Sequence, residues 1–252
     1  MTTAPSPPPG AAPAVLALDG VSAGYGTYRA LFDVSFAVPS GAVVALLGAN
    51  GAGKSTVARV ATGLVSASAG RVLVDGRDVT HLASHRIARL GVAHVPEGRA
   101  VFAALSVEEN LRVSLRRRAG RARVAGALER AFGAFPVLAE RRRQAAGTLS
   151  GGEQRMLSLA GVLAAPPRLL VADELSLGLA PVVVDAVYQG LTAIHGEGTA
   201  VLVVEQQVDR ALAIADHAVL LAHGSVQWQG SPAEAERQME QLLVGGYGTT
   251  SN

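Results

Sequence analysis

Eight consecutive residues, Gly48-Ala49-Asn50-Gly51-Ala52-Gly53-Lys54-Ser55, restrict this chain more than any other feature. They satisfy G-x-x-x-x-G-K-[ST] at every position, between an apolar run at 42–47 and a segment at 55–64 that reads as a helix ended near Gly63. A run with no polar alternation predicts a strand buried on both faces of a parallel sheet. Glycines at Gly48, Gly51 and Gly53 let backbone N–H groups turn inward toward an anion where a Cβ would intervene. The helix that starts at the loop adds its own amides and dipole. In such a cradle Lys54 reaches the β- and γ-phosphates of a nucleotide and the Ser55 hydroxyl is a ligand for Mg2+, with Asn50 and Thr56 in the same phosphate site. A chance glycine-rich turn in a chain with 29 glycines does not explain a complete match in a strand–loop–helix context.

Arg168-Leu169-Leu170-Val171-Ala172-Asp173-Glu174 reads as an apolar strand ending in two carboxylates. Ligands of open parallel sheets gather at the carboxyl ends of strands, so these acids are expected to face the same phosphates. Asp173 suits Mg2+ through its waters, and Glu174 suits polarising a water in line with the γ-phosphate.

At 252 residues, 49% of them apolar and 17% charged, the chain suffices for one domain with a large core. A net charge of +2 gives no concentrated basic face, so no nucleic-acid partner is expected. The runs Arg116-Arg117-Arg118 and Arg141-Arg142-Arg143 read as solvated helix surface. There is no cysteine, which excludes a disulfide scaffold. No apolar run approaches the ~18 residues a membrane-spanning helix needs. Residues 1–13 read as a disordered Pro-rich tail, 14–246 as a single domain and 247–252 as a flexible tail.

Within the domain, short β-rich runs at 15–44, broken by Gly24, Gly26, Pro39 and Gly41, predict an antiparallel edge, and Asp75-Gly76 predicts a hairpin turn. Residues 106–143, rich in Arg, Ala, Leu and Glu, read as the body of a helical insertion spanning about 95–160. The later apolar runs at 168–172, 200–204 and 218–222 alternate with helical segments, which predicts an α/β fold with a parallel sheet covered on both faces.

Leu149-Ser150-Gly151-Gly152-Glu153-Gln154 precedes a helical run and forms a second glycine-rich helix start, an anion site without a lysine. Two half-sites for phosphate in one chain make sense if Ser150, Gly151 and Gly152 of one subunit complete the nucleotide site of another. The order and content of these motifs resemble the ATP-binding cassette family over 15–246, and 149–154 matches that family's signature as it stands.

The resemblance implies a P-loop NTPase core with an N-terminal antiparallel β subdomain and an inserted helical subdomain. It implies ATP and Mg2+ as cofactors and Tyr25 as the aromatic that stacks on adenine, against the alternative of a plain β-edge aromatic. It further implies a loop at 176–180 that crosses to the partner, a catalytic set of Glu174, His94 and Gln206, and transport-coupled ATP hydrolysis. Val95-Pro96-Glu97-Gly98-Arg99, 176–181 and Val204-Glu205-Gln206 look like the second ATPase subunit of branched-chain amino acid importers, and equally like that of urea importers. The implied partners are a second cassette subunit, alike or different, two transmembrane permeases and, indirectly, an extracytoplasmic solute-binding protein. The implied place is the cytoplasmic face of the cell membrane. Three positions depart from the family pattern: His94 for its usual glutamine, Leu175 for a proline and Gln206 for a histidine. They keep a second reading open, a nucleotide-dependent regulatory cassette with weak hydrolysis.

Overall fold

The computed structural model describes residues 13–98, 101–118 and 120–245. Residues 1–12 of the tail expected at 1–13, the tail expected at 247–252, and Arg99 lie outside the described residues. In chain order the main elements are β1 (Ala14–Tyr25), β2 (Tyr28–Pro39), β3 (Val43–Leu47), α1 (Lys54–Ala61), β4 (Ala67–Val74), β5 (Arg77–Asp78), α2 (Ser84–Arg89) and β6 (Val92–Val95). Four helices follow, α3 (Val107–Arg118), α4 (Val124–Ala134), α5 (Pro136–Glu140) and α6 (Gly151–Leu163). The chain then runs through β7 (Leu169–Asp173), α7 (Pro181–Gly196), β8 (Ala200–Glu205), α8 (Val208–Ile214), β9 (His217–Ala222), β10 (Ser225–Gly230) and α9 (Pro232–Gly245).

Two sheets result. One is antiparallel, in the order β2-β1-β4-β5, and the other runs β10-β9-β3-β8-β7-β6 with parallel pairing from β9 through β6. The expected turn at Asp75-Gly76 joins β4 to β5 with φ of 49° and 74°, as a primed turn requires. The amino-terminal strands differ from expectation: they are two long strands of 12 residues, not short pieces. Their glycines do not break them because register shifts absorb the distortion, as between Leu18 and Val21 where Gly20 takes a φ of 61°.

Side chains alternate across β3, so its unbroken apolar run serves two cores. Val44 and Leu46 pack with Val57 and Val60 of α1, Val171, Val204 and the antiparallel sheet. Val43, Ala45 and Leu47 pack on the other face with Leu159 of α6 and Val184, Val187 and Leu191 of α7. The helical insertion has its own core, in which Leu111, Leu115, Leu128, Phe132 and Leu138 meet Met156 and Leu157 of α6. Helix α6 therefore belongs to both the insertion and the sheet. An isolated bridge, Ser106 to Ala145, closes the base of the insertion.

Candidate functional site

The loop after β3 turns on glycines that nothing else could replace. A Cβ at Gly48 would lie 2.2 Å from the Leu221 carbonyl oxygen, and Gly53 combines a φ of 103° with a Cβ position 2.8 Å from Leu31 Cδ2. Helix α1 starts immediately afterwards and presents Lys54, only 3% exposed, to the interior of the loop. Its Nζ donates to the carbonyls of Gly48 (2.9 Å) and Ala49 (3.2 Å) and lies 3.9 Å from Glu174 Oε1. Burial pulls its pKa down, while Glu174, Asp173 and Glu205 pull it back up. The ammonium is thus held in a charged recess, poised to exchange carbonyl partners for phosphate oxygens.

Strand β7 delivers the two carboxylates to the same place. Asp173 is 2% exposed and accepts from Ser55 Oγ at 3.2 Å. Burial raises its pKa to about 6, helped by the charges of Glu174 and Glu97 and opposed by Ser55 and Arg59. The residues present fit a divalent cation: a hydroxyl and an acid already in contact, and excess negative charge around Asp173. Among the described residues no group of three His, Cys, Asp or Glu side chains forms a metal cage. An ion held by Ser55 and Asp173 would therefore complete its shell with phosphate and water, as Mg2+ commonly does.

Glu174 follows with a φ of 46°, an uncommon conformation for a side-chain-bearing residue. Its N–H donates to the Val204 carbonyl at 2.8 Å, which ties the turn to β8. Its Oε1 accepts from Gln206 Nε2, also at 2.8 Å. Gln206 stands just past the end of β8, so adjacent parallel strands bring the expected base and sensor together. Leu175, where the family pattern has proline, is fully buried in the core beneath.

Tyr25 ends β1 above α1. Its hydroxyl accepts from Arg59 Nη1 at 3.0 Å and lies 3.5 Å from Thr56 Oγ1, while the Arg59 guanidinium sits 5.9 Å from the ring centroid. These contacts tether the ring beside the loop and leave it 41% exposed, available to a flat ligand.

The second glycine-rich start lies on another part of the molecule. Ser150 caps α6 in a reciprocal box, its N–H donating to Glu153 Oε2 (2.8 Å) and its Oγ accepting from Glu153 N (3.3 Å). Gln154 is buried and holds the preceding turn through the carbonyls of Ala146 and Leu149. Ser150 and Gly151 face solvent, and no hydrogen bond or ion pair among the described residues joins 150–152 to Lys54, Ser55, Asp173 or Glu174.

Besides 150–152, His94 is an expected site residue that is not brought into this group. His94 lies inside β6 opposite Val171, two residues short of the level of Asp173, or about 6–7 Å below the strand ends. Its ring lines a cavity with Thr62, Ile87, Ala88 and Arg117, its Nε2 is buried without a hydrogen-bond partner among the described residues, and burial together with Arg59 lowers its pKa to about 4. The polar residue that emerges beyond the end of β6 is Glu97, whose charge acts on both Asp173 and Arg155. The structure thus places the His94 ring apart from Lys54, Asp173 and Glu174, and Glu97 nearer to them. The signal was present in the sequence, because Pro96 ends the strand and Glu97 is the first polar side chain past it.

Arg155 was also not anticipated. It is 5% exposed on α6, and its guanidinium donates to the carbonyls of Asp173 (3.1 Å), Glu174 and, more weakly, Gly98 (3.4 Å). It links the helix bearing the second half-site to the acidic strand end. In sequence it sits in an otherwise helical run, and nothing local distinguishes it from a surface arginine.

A glycine cradle on a helix start, a lysine within it and an acidic strand end with a held glutamate define a P-loop nucleotide hydrolase, and the added α6 half-site narrows this to a cassette ATPase. Residues 31–176 match the family model described as ABC transporter. The high-affinity branched-chain amino acid transport ATP-binding protein BraG of Pseudomonas aeruginosa is 41% identical over 84% of this chain and 91% of its own. The lipopolysaccharide export system ATP-binding protein LptB of Escherichia coli K12 is 33% identical over 88% of this chain and 92% of its own. Among solved structures, an ATP-binding subunit of an ABC transporter superposes with a TM-score of 0.79 at 27% identity, covering 90% of this chain and 93% of that one. The chain belongs to the ABC transporter family, as an ATP-binding, ATP-hydrolysing subunit. No helix among the described residues is long and apolar enough to cross a membrane.

Proposed function

We propose that this chain powers a membrane importer of branched-chain amino acids, bound peripherally to the cytoplasmic side of two permease subunits. It would work with a second cassette subunit that supplies the complementary half-site. The observation that carries the mechanism is the separation of the two helix starts. Lys54 and Glu174 are assembled, while Ser150 and Gly151 are exposed and make no hydrogen bond or ion pair to them among the described residues.

ATP bound in the α1 loop would present its γ-phosphate to Lys54 and to the capped start of α6 in the partner. It would contact both faces only when the pair is closed, and that differential affinity drives closure. Mg2+ at Ser55 and Asp173 would neutralise charge on the β- and γ-oxygens. Glu174 would then polarise a water aligned on the γ-phosphorus while Gln206 fixes its carboxylate. A bond forms from the water oxygen to phosphorus and the bond to the β-bridging oxygen breaks, leaving ADP and phosphate and releasing the bridge between subunits. The α6 link between sheet and insertion would carry that change outward.

The cargo assignment rests on likeness to BraG, closer than likeness to LptB. It is tested by expressing the chain with neighbouring permeases and binding protein and measuring uptake of labelled leucine and urea. Leucine uptake that is lost in the Glu174→Gln chain supports the proposal. Uptake of urea alone, or of neither, contradicts it.

A further inference from the structure

The last residue of β8, Glu205, is 1% exposed, and no ion pair involves it among the described residues. Burying a carboxylate is unfavourable unless donors surround it, and here three donors reach it among the described residues. Ser176 N–H donates to Oε1 at 2.9 Å, Ser176 Oγ to Oε2 at 2.9 Å, and Gln206 N–H to Oε2 at 3.3 Å. Two further bonds close the circuit, Gln206 Nε2 to Glu174 Oε1 and Glu174 N–H to the Val204 carbonyl. The Tyr188 hydroxyl on α7 is buried near the same carboxylate, and burial together with the Glu205 charge raises its pKa.

Ser176 is the root of a loop that leaves the core at once. Leu177 is 53% exposed, Gly178 has a φ of 72°, and Leu179 N–H returns to the Ser176 carbonyl at 3.3 Å. Its position is therefore set at Ser176. An apolar residue would complete β8 equally well as packing, so the carboxylate answers a need other than core filling.

We propose that Glu205 is a positioning residue: its buried carboxylate locks Ser176 to Gln206, so that the γ-phosphate sensor and the partner-facing loop move as one body. The inference rests on the paired-subunit reading and adds a route from one nucleotide site to the partner. Nucleotide held by Gln206 would fix Ser176, and loop contacts made by the partner would in return hold Glu174 and Gln206 in the hydrolytic arrangement.

The test compares Glu205→Gln, Ser176→Ala and the double variant with the unaltered chain. Glu205→Gln keeps the shape but turns an NH2 toward N–H and O–H donors. The expected result is a fluorescent ATP analogue bound within about twofold of normal, kcat lowered about tenfold at unchanged KM, and ATP-driven association weakened in parallel. The double variant is expected to be no worse than Glu205→Gln, because both remove one linkage. Unchanged kcat, a loss confined to KM, or single losses that multiply would overturn the proposal. Should Glu205→Gln fail to fold, Ser176→Ala alone must lower kcat with nucleotide binding intact, and normal kcat there overturns it. The unaltered chain separates the two levels. Absence of ATP-driven association in it sinks the paired reading itself, whereas its presence with unaffected variants sinks only the role of Glu205.

Discussion

Gln206 Nε2 donates to Glu174 Oε1 at 2.8 Å, although the two residues come from different strands and 32 positions apart in the chain. The bond exists because β7 and β8 are parallel neighbours, so both residues emerge at the same end of the sheet. In the proposed mechanism it would leave one carboxylate oxygen of Glu174 to act on water, with a glutamine holding the base. No proton need be taken up by Gln206 for this.

Replacing Glu174 by glutamine keeps an oxygen for Gln206 but removes the charge that polarises water. We expect kcat to fall by about 10²–10⁴-fold with ATP affinity retained. Phosphate release in single-turnover assays is the check, and a fall of less than about tenfold would exclude Glu174 as the base.

Asp173 links the site to pH. Its folded pKa, raised from 3.8 to about 6, means that the native chain holds this proton more tightly than the unfolded chain. The resulting penalty on folding is absent below pH 3.8, develops between the two values and is complete above about pH 6. Mg-nucleotide requires the ionised acid, so its affinity should decline as pH falls below about 6. Asp173→Asn should abolish that decline along with tight Mg2+ binding, and should stabilise the nucleotide-free chain at pH 7 by about 1–3 kcal/mol. Titration calorimetry and thermal melts at pH 5 and 7 read both effects.

Arg155 contributes stability and coupling together. Arg155→Met keeps an apolar stem but removes the donors to Asp173, Glu174 and Gly98 carbonyls. We expect a loss of about 2–3 kcal/mol in urea unfolding. A loss below about 0.5 kcal/mol would show the guanidinium to be solvated surface.

His94 and Glu97 are separable by mutation. His94→Gln alters a ring that lines the cavity below the strand end, so turnover should stay within about twofold. Glu97→Gln removes a charge that acts on Asp173, so the acidic limb of the pH profile should move to lower pH. Parallel ATPase profiles from pH 5 to 8 distinguish them, and a large loss in the His94 variant with none in Glu97 would support the sequence-based assignment of His94.

Local pattern made the phosphate loop legible, since Gly48, Gly53 and Lys54 act within one strand–loop–helix unit. The acidic strand end was legible for the same reason, because Asp173 and Glu174 close an unbroken apolar run. The position of His94 was not legible because it depends on where β6 ends, and that is set by its pairing with β7. Arg155 and Glu205 were invisible because their partners, the Glu174 carbonyl and Ser176, are distant in sequence and meet them only through sheet order and α6 packing. The bulged strands β1 and β2 were underestimated because glycine signals a break locally, whereas the sheet accepts it as a bulge.

The central claim is that two helix starts, α1 of one subunit and α6 of another, enclose a single nucleotide. Sedimentation of the Glu174→Gln chain with Mg-ATP, alone and with its sister ATPase, measures this directly. The account predicts ATP-dependent association to a pair, abolished by Gly151→Asp, which sets a carboxylate against the γ-phosphate while nucleotide binding at Lys54 persists. A chain that stays monomeric at saturating Mg-ATP in both settings, or a Gly151→Asp chain that still pairs, would contradict it.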